Sequence, residues 1–236
     1  MKFAASLLTL VSLIAGASAH MALLYPTPRG GYGTKQYNGR VHTWIGHKDS
    51  KWNQRFPCGG YAPGPVTQMK AGQTINVRFL ASTMSDKQIK TQPNPTSSGK
   101  QFSQARHGGG TCEFSLSYDG GKSFRRIGRY TKTCPDAYYV WPVKIPNNVT
   151  SCKKKNQCLF VWTWTANILP QYYQNCADIY LEGLDKGGVL PRNGIEIVDF
   201  KGYKTGVKGD GINHKSAGGP SKTEIKENKD GKYAKN

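Results

Sequence analysis

Acidic residues are scarce in this sequence. The 236 residues include 14 Asp and Glu against 33 Lys and Arg, so the formal net charge is +19 at pH 7. Such an excess of positive charge favours anionic polymers as partners through long-range attraction. The basic residues are spread along the chain, however, and no DNA- or RNA-binding motif surrounds them. We therefore expect a solvated basic surface and no nucleic-acid partner.

Long hydrophobic runs are absent as well. The mostly apolar run from Phe3 to Ile14 is too short to span a bilayer and no later segment qualifies, so we expect no membrane partner. Lys2 precedes this run and small residues follow it at 17–19, so residues 1–19 predict a secretory signal peptide. Its cleavage would release a secreted, extracellular protein that begins at His20. The loss of Lys2 would lower the net charge from +19 to +18.

Helical periodicity is also missing, since no stretch sustains it over three turns. Short runs, of which 74–79 and 112–118 alternate apolar and polar residues, lie between Gly and Pro positions, which is typical of strands. They predict an all-β domain over residues 20–200: an immunoglobulin/fibronectin-III-like antiparallel β-sandwich with long loops, with a β-barrel as the alternative. We expect no carbohydrate-binding module or Ser/Thr-rich linker after this domain, and the given residues show no internal repeat. The predicted strands are Met21–Tyr25, Thr74–Phe79, Cys112–Tyr118, Phe124–Tyr130, Tyr138–Ile145, Leu159–Thr165 and Ala177–Leu181.

The C-terminal residues differ from this domain in composition. Residues 201–236 contain nine Lys and four acidic residues, with Gly interspersed and few apolar positions. Such a segment buries too little apolar surface to offset the entropy of an ordered chain. We predict a basic, Lys- and Gly-rich disordered tail.

The six cysteines form no CxxC pair and have no zinc-ribbon spacing, so they predict disulfides rather than a metal cluster. Six cysteines allow fifteen pairings, and the spacing does not choose among them. The sequon Asn148-Val149-Thr150 predicts a glycosylated surface loop with the glycan on Asn148, compatible with secretion.

Histidine is the residue type that points to a metal site. After cleavage, His20 would carry both a free α-amine and an imidazole, and the two nitrogens could chelate one metal ion. Among the other four histidines, His107 is followed by Gly108-Gly109-Gly110-Thr111-Cys112, a permissive loop that leads into a predicted strand. His42 and His47 in the irregular N-terminal region, and His214 in the tail, are weaker candidates.

A second interpretation of the His-Gly-Gly-Gly run is the oxyanion hole of an esterase. That enzyme class also needs a GxSxG nucleophile elbow between a strand and a helix. The chain contains no GxSxG and no convincing helix, so this interpretation is excluded.

Three motifs together resemble a known family. They are the N-terminal His20 after cleavage, the His-Gly-Gly-Gly-Thr-Cys run at 107–112, and Gln-x-Tyr-x-x-Cys-Ala at 171–177. In combination they are similar to fungal lytic polysaccharide monooxygenases, and most similar to the chitin-active auxiliary activity family 11. Phe56-Pro57-Cys58 and Trp162-Thr163-Trp164 fit the same pattern, and the resemblance covers roughly residues 20–183.

The resemblance implies a secreted oxidoreductase that uses one copper ion per chain, an external electron donor, and peroxide or dioxygen. Its substrate would be an insoluble crystalline polysaccharide, with chitin preferred and cellulose or pectin as alternatives. His20 would bind copper through its amine and Nδ1, and His107 through Nε2, in a histidine brace. Tyr173 would occupy the axial position as a weak metal contact, Gln171 would hydrogen-bond the activated oxygen species, and Ala105 would crowd the other axial side. Both Gln171 and Tyr173 are thus candidate catalytic residues.

The same resemblance implies a monomer with disulfides Cys58–Cys176, Cys112–Cys134 and Cys152–Cys158. The principal alternative is a non-catalytic copper-binding protein of the cell wall or of copper acquisition, built on the same scaffold. Such relatives tend to carry an acidic copper ligand, whereas this chain offers Tyr173 with Gln171, which favours the enzyme. A third interpretation is a cationic adhesion or antimicrobial protein that acts through its tail. Tyr32 and Trp44 of the long N-terminal loop region are candidates for stacking on sugar rings.

Overall fold

The computed structural model describes residues 20–37, 39, 44–45, 54–91, 104, 106–168, 171–196 and 218–234. The predicted signal peptide, Ala105 and the histidines at 42, 47 and 214 therefore lie outside the described residues. None of the described helices is long and apolar enough to cross a membrane.

The described residues are nearly all in strands and loops, which confirms the all-β prediction. The two α-helices within this part of the chain are short, and a 3-10 turn follows the second. Every predicted strand is present in whole or in part, whereas the sequence patterns do not predict β2 and β3. The strands are β1 Met21–Tyr25, β2 Trp44–Ile45, β3 Val66–Lys70, β4 Thr74–Ala81, β5 Gly110–Ser117, β6 Arg125–Tyr130, β7 Trp141–Lys144, β8 Leu159–Ala166 and β9 Tyr172–Glu182; the helices are α1 Asp86–Thr91, α2 Lys222–Lys229 and the 3-10 turn Lys232–Ala234.

The strands form two sheets that pack face to face. The smaller sheet has the order β1-β4-β7, and the larger has β2-β9-β8-β5-β6 with β3 joined to β9. All pairings are antiparallel except β3 with β9, which is parallel. Phe79 of the smaller sheet packs against Trp162 of the larger, with ring centroids 5.0 Å apart. The predicted β-sandwich is therefore confirmed.

Strand β8 is buried along its whole length because both of its faces are covered. Phe160, Trp162 and Trp164 join the core between the sheets. Leu159 and Val161 point the other way and join a second cluster that includes Cys58, Phe124 and Cys176. The long N-terminal loop supplies the outer cover, since it lies over that face of the larger sheet.

A buried ion pair fastens that loop to β9. The Arg29 guanidinium donates twice to Asp178, from Nε at 2.8 Å and from a terminal nitrogen at 2.6 Å, and both residues are at least nine-tenths buried. Asp178 also accepts from the backbone N–H of Gly64 at 2.8 Å. A paired and hydrogen-bonded charge of this kind fixes one arrangement of the chain, since breaking it would leave the other charge buried and alone.

The prediction of a disordered tail is wrong for residues 218–234. Helix α2 begins with a capping box, in which Ser221 and Glu224 each bond the other's backbone N–H. The fully buried Asn228 side chain accepts from the N–H of Arg129 at 2.9 Å and donates to the carbonyl of Arg129 at 2.7 Å. Composition alone misses these specific polar contacts, which hold a Lys-rich segment against β6; residues 201–217 lie outside the described residues.

Replacing Asn228 should measure how much this docking contributes. Asn228→Ala would leave both backbone groups of Arg129 buried without partners, so we expect a loss of about 2–3 kcal/mol in the free energy of unfolding. For a chain of this size that corresponds to a drop in Tm of roughly 4–10 °C. Lys226→Ala, at an exposed position on the same helix, is the control, and calorimetry is the measurement. Equal Tm values for the two variants would show that α2 does not dock as described.

Candidate metal centre

The loop that carries His107 has an unusual backbone. His107 has φ +43°, and Gly108, Gly109 and Gly110 follow with φ +75°, +82° and +153°. A side chain on Gly109 would place its Cβ 2.1 Å from the carbonyl oxygen of Lys132, and one on Gly110 would place it 2.0 Å from that of Thr165. The glycines are therefore required both for the left-handed conformation and for the close approach of neighbouring backbone.

Arg106, the residue before His107, anchors the loop through its guanidinium group. Its guanidinium donates from Nε to the carbonyl of Pro135 at 2.7 Å, also donates to the carbonyl of Thr133, and lies 3.3 Å from Asp136 Oδ2. Gln104 donates to the same carboxylate at 3.0 Å. Burial raises the pKa of Asp136, and the charge of Arg106 opposes that shift. The loop is thus tied to the segment that follows β6.

His20 is positioned by the start of β1. Its carbonyl accepts from the N–H of Ser82 at 3.2 Å, and the strand that follows pairs with β4. The N–H of Leu23 donates to Asn175 Oδ1 of β9 at 2.8 Å, which links this part of β1 to the larger sheet. Both His20 and His107 are partly exposed.

The rings of His20 and His107 both lie next to the ring of Tyr173. Its buried ring lies 6.4 Å from the ring of His20 and 6.3 Å from the ring of His107, centroid to centroid. Trp164 stacks on Tyr173 at 4.4 Å. The fold thus brings together the four residues that the sequence motifs proposed, at positions 20, 107, 171 and 173. Gln171 belongs to this group because its side chain is hydrogen-bonded to Tyr173.

That bond runs from Tyr173 Oη, which donates to Gln171 Oε1 at 2.5 Å. Burial raises the pKa of the Tyr173 phenol, so the hydroxyl stays protonated at neutral pH and remains a donor. Gln171 is partly exposed at the start of β9. The site therefore combines a neutral buried phenol with an amide group that reaches the surface.

The donor set suits copper. The two imidazoles offer nitrogen ligands beside the phenol of Tyr173, and the α-amine of a processed His20 would add a third nitrogen. Copper binds nitrogen ligands more strongly than other divalent first-row metals do. Calcium and magnesium require carboxylate or carbonyl oxygens. Among the residues that the structure describes, no cluster of three or more His, Cys, Asp or Glu offers another metal site.

All six cysteines are paired, and two of the disulfides lie beside the centre. The pairs are those that the resemblance implies: Cys58–Cys176, Cys112–Cys134 and Cys152–Cys158, with Cα separations of 5.1, 5.7 and 5.7 Å. The first fixes the N-terminal loop to β9 close to Tyr173. The second fixes the beginning of β5, just after the His107 loop.

The remaining sequence candidates have separate positions. Trp44 pairs with Tyr173 in the β2–β9 register, so its backbone lies next to the centre. Tyr32 instead bonds Asp86 at 3.1 Å and packs edge-on against Tyr37. Asn148 is exposed between β7 and β8 and lines a cleft of about 490 Å³ with the residues that follow α2. Sequence reasoning missed Asn167, whose contacts with the His107 loop are long-range and leave no local motif.

Comparison with known proteins decides the family. The chain is 32% identical over 182 residues to the AA11 family lytic polysaccharide monooxygenase A of Aspergillus fumigatus, and the alignment covers 71% of this chain and 67% of that protein. The chain belongs to the AA11 family of lytic polysaccharide monooxygenases. It is therefore an oxidoreductase, which favours the enzyme over the non-catalytic alternative. No protein-family model matches the chain.

Solved monooxygenase structures also resemble this AA11 protein, at a greater distance. A lytic polysaccharide monooxygenase of Jonesia denitrificans is 12% identical, with a TM-score of 0.39 and coverage of 69% of this chain and 100% of that one. The extended catalytic domain of LPMO9A from H. jecorina is 18% identical, with a TM-score of 0.31 and coverage of 66% and 69%. At these scores the two structures say nothing further about the site.

Proposed function

We propose that this AA11 enzyme, once residues 1–19 are removed, is a secreted monooxygenase that binds one copper ion and oxidatively cleaves crystalline chitin. The proposal rests on one observation: the rings of His20 and His107 both lie beside Tyr173, whose hydroxyl is hydrogen-bonded to Gln171. Positions 20, 107 and 173 lie far apart in sequence, and no group of three or more His, Cys, Asp or Glu side chains among the described residues could hold a metal elsewhere.

The copper ion would be held by the α-amine and Nδ1 of His20 and by Nε2 of His107. When bound, copper supplies one-electron chemistry that activates an oxygen co-substrate for attack on a C–H bond of the polysaccharide. Tyr173 would face the metal as a buried phenol, since its ring lies beside the rings of both histidines. A phenol oxygen would be a weaker ligand than a carboxylate, which would leave room at the metal for the co-substrate.

Gln171 has a separate task in this proposal. Its Oε1 is engaged by the Tyr173 hydroxyl, which fixes the orientation of the carboxamide. The Nε2 group is then the end of the amide that can donate to an oxygen co-substrate at the centre. Since Gln171 is neutral, it can orient a bound molecule without competing for the metal.

Products from three polymers test the activity and the substrate. Copper-loaded protein that begins at His20 should release oxidised oligosaccharides from chitin in the presence of a reductant and peroxide, as measured by mass spectrometry. Cellulose and pectin should yield little, and His107→Ala protein should yield none from chitin. Products from cellulose or pectin alone would refute the choice of chitin, and a lack of products from all three polymers would refute the monooxygenase proposal.

Glycosylation of Asn148 is part of the same proposal, because its side chain is exposed and the sequon stands in a loop. The intact mass of protein secreted from a eukaryotic host, before and after enzymatic deglycosylation, tests it. N-terminal sequencing of the same sample tests cleavage before His20.

A further inference from the structure

The backbone carbonyls of the His107 loop all accept hydrogen bonds from one short segment. The carbonyl of His107 accepts from the N–H of Ile168 at 3.2 Å. The carbonyl of Gly108 accepts from Asn167 Nδ2 at 3.3 Å, and that of Gly109 accepts from the N–H of Asn167 at 3.0 Å. Asn167 stands at the end of β8 and thus supplies two of these three contacts.

The carboxamide of Asn167 also reaches across to a second segment. Its Nδ2 donates to the carbonyl of Lys132 at 3.0 Å, and that carbonyl accepts from the N–H of Gly110 at 2.8 Å as well. Only 7% of Asn167 is exposed. One buried amide group therefore joins the His107 loop to the segment after β6, on the same side where Arg106 is anchored.

These contacts matter because the His107 loop has little conformational preference of its own. A non-glycine residue in the left-handed region, as His107 is with φ +43°, costs on the order of 1 kcal/mol and persists only where its surroundings impose it. Residues 107–109 precede β5 and make no strand pairing. Without the Asn167 amide, the carbonyl of Gly108 would lose its donor, and burial makes such a loss unfavourable.

We propose that Asn167 is a positioning residue, which holds the His107 loop in its left-handed conformation and thereby places the His107 ring opposite His20. The consequence for copper rests on the proposed function, in which His107 is a ligand. The consequence for the loop does not, because the hydrogen bonds belong to the protein itself.

The substitution Asn167→Asp tests this proposal with almost no change in shape. An ionised carboxylate only accepts hydrogen bonds, so it would face the carbonyls of Gly108 and Lys132 without a proton to donate. In the copper-free protein we expect amide hydrogen exchange in residues 107–110 to accelerate by about tenfold or more, as for a loop that opens locally. We expect the copper affinity to fall by about 10–100-fold, as for the loss of a group that orients a metal ligand, and the Cu(II) spectrum in electron paramagnetic resonance to change.

Asn228→Asp is the matched control. Asn228 is also buried, and its Nδ2 also donates to two backbone carbonyls, those of Arg129 at 2.7 Å and Glu224 at 2.9 Å. This variant should lower Tm but leave the copper affinity and the Cu(II) spectrum unchanged. Asn167→Ala, which removes the donor without adding charge, should act in the same direction as Asn167→Asp and serves if the latter does not fold.

The outcomes separate the two proposals. Unchanged hydrogen exchange in the His107 loop of both Asn167 variants would overturn the positioning role. So would a copper affinity and spectrum that match those of Asn228→Asp protein at a similar loss of Tm. If the unsubstituted protein itself binds no copper tightly, the proposed function fails, and the hydrogen exchange of the copper-free loop still decides whether Asn167 holds it.

Discussion

Protein that retains one additional residue before His20 is expected to lose tight copper binding, with an affinity lower by at least about a hundredfold. The α-amine would become a peptide nitrogen, whose lone pair is delocalised into the carbonyl and no longer available as a ligand. The two imidazoles would remain, but the chelate formed by two nitrogens of one residue would be gone. Oxidised products from any polysaccharide should disappear together with the affinity.

The measurement is a competition titration against a chelator of known affinity, on protein that begins at His20 and on protein with one Ala before it. An Ala added after the C-terminal residue Asn236 is the control, since it changes length equally and leaves the centre alone. His20→Ala, which keeps a free amine but removes the imidazole, should lose affinity as well. If the N-terminal extension binds copper as tightly as the processed protein, the amine is not a ligand and the proposed centre is wrong.

Gly110→Ala is expected to cost about 3–5 kcal/mol of the free energy of unfolding, or to displace the His107 loop and abolish copper binding. The added Cβ would lie 2.0 Å from the carbonyl oxygen of Thr165 and 2.7 Å from Trp164 Nε1, and neither group can withdraw. Thr165 belongs to the paired part of β8, and the Trp164 ring is stacked on Tyr173. Relief of the clash therefore has to come from the loop that carries His107.

Gly187→Ala separates this clash from backbone strain. Gly187 also has positive φ, +69°, but no atom lies within 4 Å of an added Cβ. Strain alone should cost about 1 kcal/mol there, since an alanine has to adopt the left-handed region. Chemical denaturation of both variants and a copper titration are the measurements. Similar losses at the two positions would show that the close contact at Gly110 does not govern the loop.

Much of the fold is predictable because its main strands carry local patterns. Alternation of apolar and polar residues predicts strands β4 and β5, and a short run rich in aromatic and β-branched residues predicts β8. The parallel pairing of β3 with β9 is not predictable, because Val66 meets Asp178, a partner more than a hundred residues away, and nothing near either residue marks the other. Helix α2 escapes prediction for a related reason, since a short helix is stabilised mainly by what it packs against.

The candidate site likewise contains residues that the sequence predicts and residues that it does not. His20, His107, Gln171 and Tyr173 stand in short motifs, so the resemblance to a family identifies them from the order of the amino acids alone. The residues that hold them in place have no motif. Asn167 and the Arg29–Asp178 ion pair act through backbone atoms or charges that are distant in sequence and become neighbours only after folding. The Ser221-x-x-Glu224 pattern of the capping box is present in the sequence, but the few apolar positions that follow it left helix α2 unpredicted.

The contacts of strand β6 with Asn193 and with helix α2 bear on how copies of this protein behave together. As the outermost strand of the larger sheet, β6 would otherwise present unpaired N–H groups as a template for strand addition. Here the N–H of Arg126 donates to the carbonyl of Asn193, that of Arg129 to Asn228 Oδ1, and that of Thr131 to Glu224 Oε1. Helix α2 and Asn193 thus block an aggregation-prone sheet edge, and loss of the helix would favour association of β6 between copies of the chain.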